Sequence, residues 1–553
     1  MSLVCLAALC LAVLGSTLAF SQVASGQDTA KVEEKEFVSP PLPAAPQPAS
    51  WMQSVDNVFG AYLVRPLFAI LFFDFGTERF LGQGRSIPLV LVWLTVGAVY
   101  FTFRMQFIAF RGFWHGILLT LGYYDKPGQT GEVSHFQALA SALSGTLGLG
   151  NISGVALAVM LGGPGVVFWL IVSGLIGMSS KFVECSLGQM YRTVQPDGTV
   201  LGGPMRYLKV GLDKYGWSKL GAVLAPMFAI LCIGGSLGGG CAFQVGQSLG
   251  AVQEQFPWLR QHPYVYGIVL AVLTGIVIVG GIRRIGATAD KLVPFMCGVY
   301  LLMCFWVLGY HYDRIWPATQ TIFTHAFTGS GIVGGVIAVM VIGIRRASFS
   351  NEAGIGSASI AHSAAKTEEP ISEGMVALLE PFVDTVVVCT ITGLVIVVTG
   401  VCDNPDFASL ITEQDGAAMT SRAFGGVVGW FPPLLAAVVF LFAFATLISW
   451  SYYGERCAIY LLGPKASLPY KALFLAFTVL GSIVTKGNVI DFSDLMLLAM
   501  AFPNVLGLWI LSGEVRERLE DYWKRYQAGE LDPQKHAQAT NAKLGVTGET
   551  QDN

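Results

Sequence analysis

The sequence predicts an all-α membrane protein of about eleven transmembrane helices, one leading helix followed by two five-helix repeats of opposite sense. Three observations carry that expectation. Of 553 residues, 53% are apolar and only 12% are charged, where a soluble domain carries roughly 25%. Glycine supplies 65 residues without any collagen-like period, as suits helices that pack closely through small residues. Two of the apolar segments, five apart in order, are interrupted midway by poor helix sequence. The same composition excludes a soluble enzyme, a disordered chain and a disulfide scaffold. The ten Cys contain no C-x-x-C pair, the seven His have no metal spacing, and there is neither H-E-x-x-H nor G-x-S-x-G. A net charge of −3 leaves no basic footprint for nucleic acid.

From the start of the chain, residues 1–25 read as a signal peptide. The apolar run 3–15 is too short to span, and small residues follow with cleavage expected after Ser21 or Ser25, although no Lys or Arg precedes Lys31. Residues 26–50 form a Pro-rich periplasmic linker carrying Pro40, Pro41, Pro43, Pro46 and Pro48. Residues 51–86 are a peripheral or interfacial segment, amphipathic and interrupted by Arg65 and Arg79. The transmembrane domain is 87–512, with spans expected near 87–109, 136–162, 164–191, 222–250, 264–282, 292–312, 331–363, 373–401, 425–450, 469–485 and 491–512. The repeats then cover about 136–312 and 331–512, and 513–553 is a polar cytoplasmic tail.

Charge orients the spans. With the N-terminus outside, the inner loops hold fifteen Lys and Arg residues, among them Arg104, Arg111, Arg192 and Arg283, and the outer loops hold four. That asymmetry places the N-terminus in the periplasm and the C-terminus in the cytoplasm.

The interruptions carry the chemistry. The second span breaks at Gly145-Thr146-Leu147-Gly148-Leu149-Gly150-Asn151. The seventh breaks at Gly343, the Arg345-Arg346 pair and Ser350-Asn351-Glu352-Ala353-Gly354. Unwound backbone is tolerated at membrane depth where it lines a cavity, and paired broken helices at repeat-related positions mark a secondary transporter. Half-helix N-termini offer free N–H groups to a carboxylate, and unwound carbonyls are hard ligands for a sodium ion. The candidate substrate contacts are therefore Thr146, Gly148, Gly150 and Asn151 in the first break and Gly343 in the second. Carbonyls freed at Ser144–Leu147 are the candidate sodium ligands. The competing reading is that these glycines only permit close helix packing. Arg345, Arg346 and Glu352 are costly at this depth and are expected to be paired, as gating or structural charges. Lys181 and Glu184, three apart, read as a local pair or as snorkelling side chains, and Asp384 has no assignment.

The stretches GLGNISGVALAVMLGGPGVVFW (148–169), LGGPMRYL (201–208), GGIRRI (280–285), LVPFM (292–296), FSNEAGIGSASIAHSAAKT (349–367) and SWSYYGERC (449–457) resemble the alanine/glycine:cation symporter family. The resemblance covers roughly residues 85–512 and implies a leucine-transporter-type fold, a 5+5 inverted repeat preceded by one extra helix. It implies sodium-driven import of alanine or glycine across a bacterial inner membrane by alternating access, with no enzymatic step. By the same resemblance, residues 147–151 bind the substrate carboxylate through backbone amides. Phe243 forms an aromatic wall of the pocket, and Gln244 and Gln247 match the family's segment. Cys241, Ala242 and Gly246 depart from that segment and remove two asparagine contacts. Thr446 matches a sodium-ligating hydroxyl, Ala445 stands where a hydroxyl is common, and Trp450 lines the pocket. The alternatives are a proton-coupled or non-alanine carrier of the same fold, a channel, and a transporter-like receptor.

Overall fold

The computed structural model describes residues 50–65, 87–126, 128–328 and 335–532. The signal-peptide and linker assignments, most of the peripheral segment and most of the tail lie outside the described residues.

In chain order, the principal helices are α1 (Ser50–Phe59), α2 (Leu89–Arg104), α3 (His135–Thr146), α4 (Val155–Gly162) and α5 (Val166–Met190). They continue with α6 (Ser218–Leu237), α7 (Phe243–Gln255), α8 (Pro263–Ile278), α9 (Gly281–Tyr310) and α10 (Ile315–Thr328). Then come α11 (Val336–Asn351), α12 (Ala358–His362), α13 (Pro370–Ala377), α14 (Thr390–Thr399) and α15 (Phe431–Leu462), followed by α16 (Ser467–Leu480), α17 (Lys486–Ala499) and α18 (Ala501–Gln527). Among the described residues six helical stretches are long and apolar enough to cross a membrane: Val166–Met190, Ser218–Gln255, Gly281–Tyr310, Pro370–Thr399, Phe431–Leu462 and Lys486–Gln527. A seventh forms if the bent pair His135–Thr146 and Gly150–Gly162 counts as one span. The other expected spans fall on shorter helices, α2, α8, α11 with α12, and α16. One departure from an all-α chain is a hairpin pairing Thr193–Val194 (β1) with Val200–Leu201 (β2). Its turn is set by Gly198, whose φ of +81° suits glycine, and by the Asp197 carboxylate accepting from Thr199 N–H at 2.9 Å.

Two long helices organise the bundle. α5 packs on α2, α11 and α13, while α15 packs on α3, α6, α7 and α9. The described part of the peripheral segment is helical and docks on α17. Asp56 accepts from Thr485 and Asn488 side chains at 2.8 Å each, and Phe59 meets Phe492 edge-on.

Both interruptions are present; the second falls in the 350–354 part of the expected break, while the part at Gly343, Arg345 and Arg346 stays helical. α3 opens with a capping box between Ser134 and Gln137, and its last turn fails at Leu147, whose ψ is 70°. A π-helical turn, Gly150–Gly154, then leads into α4, and the pair bends by 50°. In the seventh segment α11 runs unbroken through Gly343, Arg345 and Arg346 to Asn351. The break is Glu352–Ser357, where Glu352 is left-handed (φ +56°). Gly343 is helical because it is a packing position: a Cβ there would lie 2.6 Å from Trp169 Cβ. A single interior glycine costs about 1 kcal/mol, which a close helix contact offsets.

Candidate functional site

The first break converges on α7 and α15. Leu149 N–H donates to Gln244 Oε1 at 2.7 Å, and Gly148 N–H donates to Asn151 Oδ1 at 3.1 Å. Both amides lie where the helix unwinds, and each is held by a side-chain oxygen, Gly148 N–H also donating to the Thr146 carbonyl at 2.8 Å. Gly148 is pressed against the same partners, since a Cβ there would stand 2.5 Å from Thr446 Oγ1 and 2.6 Å from Gln244 Oε1. Gly150 has more room, its nearest neighbours being Phe349 at 3.5 Å and Ser350 at 3.6 Å. Ser144 Oγ donates to the Ala445 carbonyl at 2.6 Å. Ser144, Leu147 and Thr446, the three expected cation ligands, thus lie along one α3–α15 seam. Thr446 at present donates to the Phe442 carbonyl at 3.1 Å within its own helix.

The two breaks meet through α11 and the segment between α13 and α14. Asn151 Nδ2 donates to Asp384 Oδ1 at 2.6 Å and to its carbonyl at 3.1 Å. Ser350 and Thr385 hydroxyls donate to Asp384 Oδ2 at 2.9 and 2.6 Å. Three π-helical turns, Gly150–Gly154, Gly238–Ala242 and Phe382–Cys389, frame this region, a backbone form concentrated at functional sites. Phe243 leaves the second of them to meet Phe349 edge-on, with ring centroids 4.7 Å apart. Gln247 bonds to Ser153 and donates to the Gln414 carbonyl at 3.1 Å. All of these side chains are buried. The Thr146 hydroxyl makes only long contacts, to the Ala142 carbonyl at 3.4 Å and the Leu143 carbonyl at 3.5 Å.

Trp450 sits at the second break. Its Nε1–H donates to Glu352 Oε1 at 3.0 Å, Ser357 donates to Oε2, and its ring covers Gly240. Replacing Trp450 by Phe removes one donor from a buried carboxylate, a loss worth about 1–3 kcal/mol. Thermal unfolding of Trp450→Phe in detergent is expected a few degrees below the parent, and an unchanged midpoint would show that this bond contributes nothing.

The remaining expected residues stand apart from the breaks. Arg345 and Arg346 both pair with Asp494, Arg345 at 2.7 Å, and Gly343 lies against Trp169. Sequence reasoning named Gln244, Ser350 and Asp384 without their contacts; the fold makes Gln244 an amide acceptor and sets Asp384 against Asn151 and Ser350. Sequence reasoning missed a buried ionic chain beside the site. Glu373 accepts from His135 Nδ1 through one oxygen and faces His362 Nδ1 at 2.6 Å through the other. His362 Nε2 lies 3.6 Å from Glu380, Lys181 lies 3.2 Å from Glu380 and 3.6 Å from Glu184, and Asn504 donates to Glu184 at 3.2 Å. Asn504 also donates to the Gly354 carbonyl at 2.9 Å, which ends the chain at the second break.

The pattern described as the sodium:alanine symporter family matches residues 80–537. The chain is 38% identical over 429 residues to the sodium/alanine symporter AgcS of Methanococcus maripaludis, covering 77% of this chain and 92% of that one. It is 34% identical over 468 residues to the amino-acid carrier protein AlsT of Bacillus subtilis, covering 82% and 95%. It is 32% identical over 445 residues to the same organism's protein named "Probable sodium/glutamine symporter GlnT", covering 80% and 89%. Among solved structures, MhsT in complex with L-phenylalanine covers 69% of this chain and 99% of that one, at 13% identity and a TM-score of 0.42, a likeness too weak to assign the fold.

Proposed function

The chain belongs to the sodium:alanine symporter family, and we propose that it is a sodium-coupled symporter that imports small neutral amino acids, alanine or glycine, by alternating access. The observation that carries this is the Leu149 amide held by a side-chain oxygen at the first break. Gln244 Oε1 stands in there for a substrate carboxylate oxygen, and Gly148 allows the approach. In this reading the helices form a 5+5 inverted repeat behind one extra helix, the N-terminus is periplasmic, and the bilayer is a bacterial inner membrane. Phe243, Phe349 and Trp450 crowd the breaks and favour a small side chain. One added methylene is worth about 1–3 kcal/mol in such a pocket, so alanine is expected to outcompete leucine and glutamine in uptake assays.

The cation is placed on the α3–α15 seam, where Ser144 and Leu147 carbonyls and the Thr446 hydroxyl supply hard oxygens. Uptake of alanine into proteoliposomes is expected to vanish when choline replaces sodium. Thr446→Val keeps the side-chain shape and deletes one oxygen. The sodium needed for half-maximal uptake should rise roughly tenfold, equivalent to about 1.4 kcal/mol, while Ala445→Ser leaves it unchanged or lowers it. Sodium-free uptake at the full rate would overturn the assignment.

A second reading, coupling to protons, draws on Asp384. It is a fully buried carboxylate, its three side-chain partners are neutral, and it touches Asn151 in the first break. Alanine uptake driven by a pH gradient without sodium, and lost in Asp384→Asn, would select this reading over the first.

A further inference from the structure

The described end of the chain folds back on the first described apolar helix and builds a cationic pocket far from the two breaks. A cavity of about 220 Å³ lies between the end of α2, the Phe107–Arg111 turn and the polar end of α18. Arg104, Arg111, Arg516 and Lys524 line it, against a single carboxylate, Glu520, which pairs with Arg516 at 2.8 Å. Met105 and Leu519 close its floor.

Arg516 and Arg111 have partners within the protein, while Arg111 and Lys524 reach the solvent-exposed surface. Arg516 donates to the Arg104 carbonyl at 3.2 Å, Arg111 donates to Gln106 Oε1 at 3.0 Å, and the Arg111 guanidinium stacks 5.0 Å from the Trp523 ring. Gln106 and Phe107 are both left-handed (φ +53° and +55°), a conformation that costs a non-glycine residue energy and that carries the chain across the cavity mouth. The Nε–H of Arg104 is buried with no hydrogen-bond partner among the described residues. A buried guanidinium nitrogen without an acceptor, in a pocket with three further cations, lacks an anionic oxygen.

The surroundings say which anion fits. Phe103, Phe107, Phe110 and Trp114 are exposed next to the pocket in sequence, and the Phe103 and Phe107 rings meet edge-on at 5.3 Å. Exposed rings beside cations are the pattern of a membrane–water interface, with apolar surface for acyl chains adjoining charge for a head group. We propose that this pocket binds the phosphate head group of an anionic phospholipid. Arg104, Arg111, Arg516 and Lys524 receive the phosphate oxygens, and the neighbouring aromatic rings receive the tails. A lipid seated there ties α2 to α18 across a junction that otherwise relies on few polar contacts.

The test is native mass spectrometry of the full chain released from detergent with added phosphatidylglycerol or phosphatidylcholine. Phosphatidylglycerol adducts are expected to survive on the parent protein. They should weaken about tenfold in the Arg111→Gln/Lys524→Gln double variant and return in Arg111→Lys/Lys524→Arg, which keeps both charges. Phosphatidylcholine should bind equally weakly to all three. Equal retention of phosphatidylglycerol by the charge-deleted variant overturns the proposal. So does complete displacement of the lipid by excess inorganic phosphate, which would make a soluble anion the ligand.

Discussion

Gly148→Ala is expected to abolish alanine uptake, whereas Gly150→Ala should retain most of it. The two glycines are two residues apart in one break, and sequence alone treats them alike. The structure separates them. An added methyl at 148 would overlap the Thr446 hydroxyl and the Gln244 amide oxygen, at 2.5 and 2.6 Å. Neither neighbour can yield without moving the Leu149 amide or the Thr446 face of α15. At 150 the same methyl makes ordinary contact with Phe349 and Ser350 at 3.5 and 3.6 Å. Uptake by Gly148→Ala should fall at least a hundredfold, about 2.7 kcal/mol, with normal membrane insertion. Near-parental transport by this variant would mean that the substrate does not approach the backbone there.

Lys181→Met should produce the largest loss of stability of any single change considered. Lys181 is the cation between Glu380 and Glu184, and all three are fully buried. Methionine fills a similar volume but strands two carboxylates, and breaking a buried ion pair costs about 3–5 kcal/mol. The unfolding midpoint in detergent is expected to drop by about three to four degrees. Pairing the change with Glu380→Gln removes one stranded charge and should recover part of the drop. An unaltered midpoint in Lys181→Met would show that these groups are neutral in the folded protein.

What could be read before folding was what is written locally. Gly145 to Asn151 announces its break because several poor helix formers stand in one turn, and the structure bends there. Gly343 misled because a lone glycine has the same composition whether it unwinds a helix or lets Trp169 pack against it. The true second break depends on Glu352 adopting a left-handed conformation, supported by Ser357 and by Trp450 from a helix about a hundred residues away. Lys181 and Glu184 do form a local pair, yet Lys181 lies nearer Glu380 and does not snorkel, being wholly enclosed. Asp384 resisted assignment for the same reason: its meaning comes from Asn151 and Ser350, which only tertiary structure sets beside it. The apolar spans were legible from hydropathy, but several helices are shorter than the segments that announced them, because loops and half-helices share the same apolar composition.

Glu373 holds His135, the first residue of α3, with one oxygen and His362, the last residue of α12, with the other. Those residues terminate the two interrupted helices at the same end of the bundle. Withdrawing either half alone leaves a buried carboxylate with half of its partners, whereas withdrawing both together frees Glu373 to be rehydrated or repaired as a unit. Two potential hinges therefore share one degree of freedom. A shape with a single half displaced leaves Glu373 facing one imidazole instead of two, so the buried charge favours the two halves moving together.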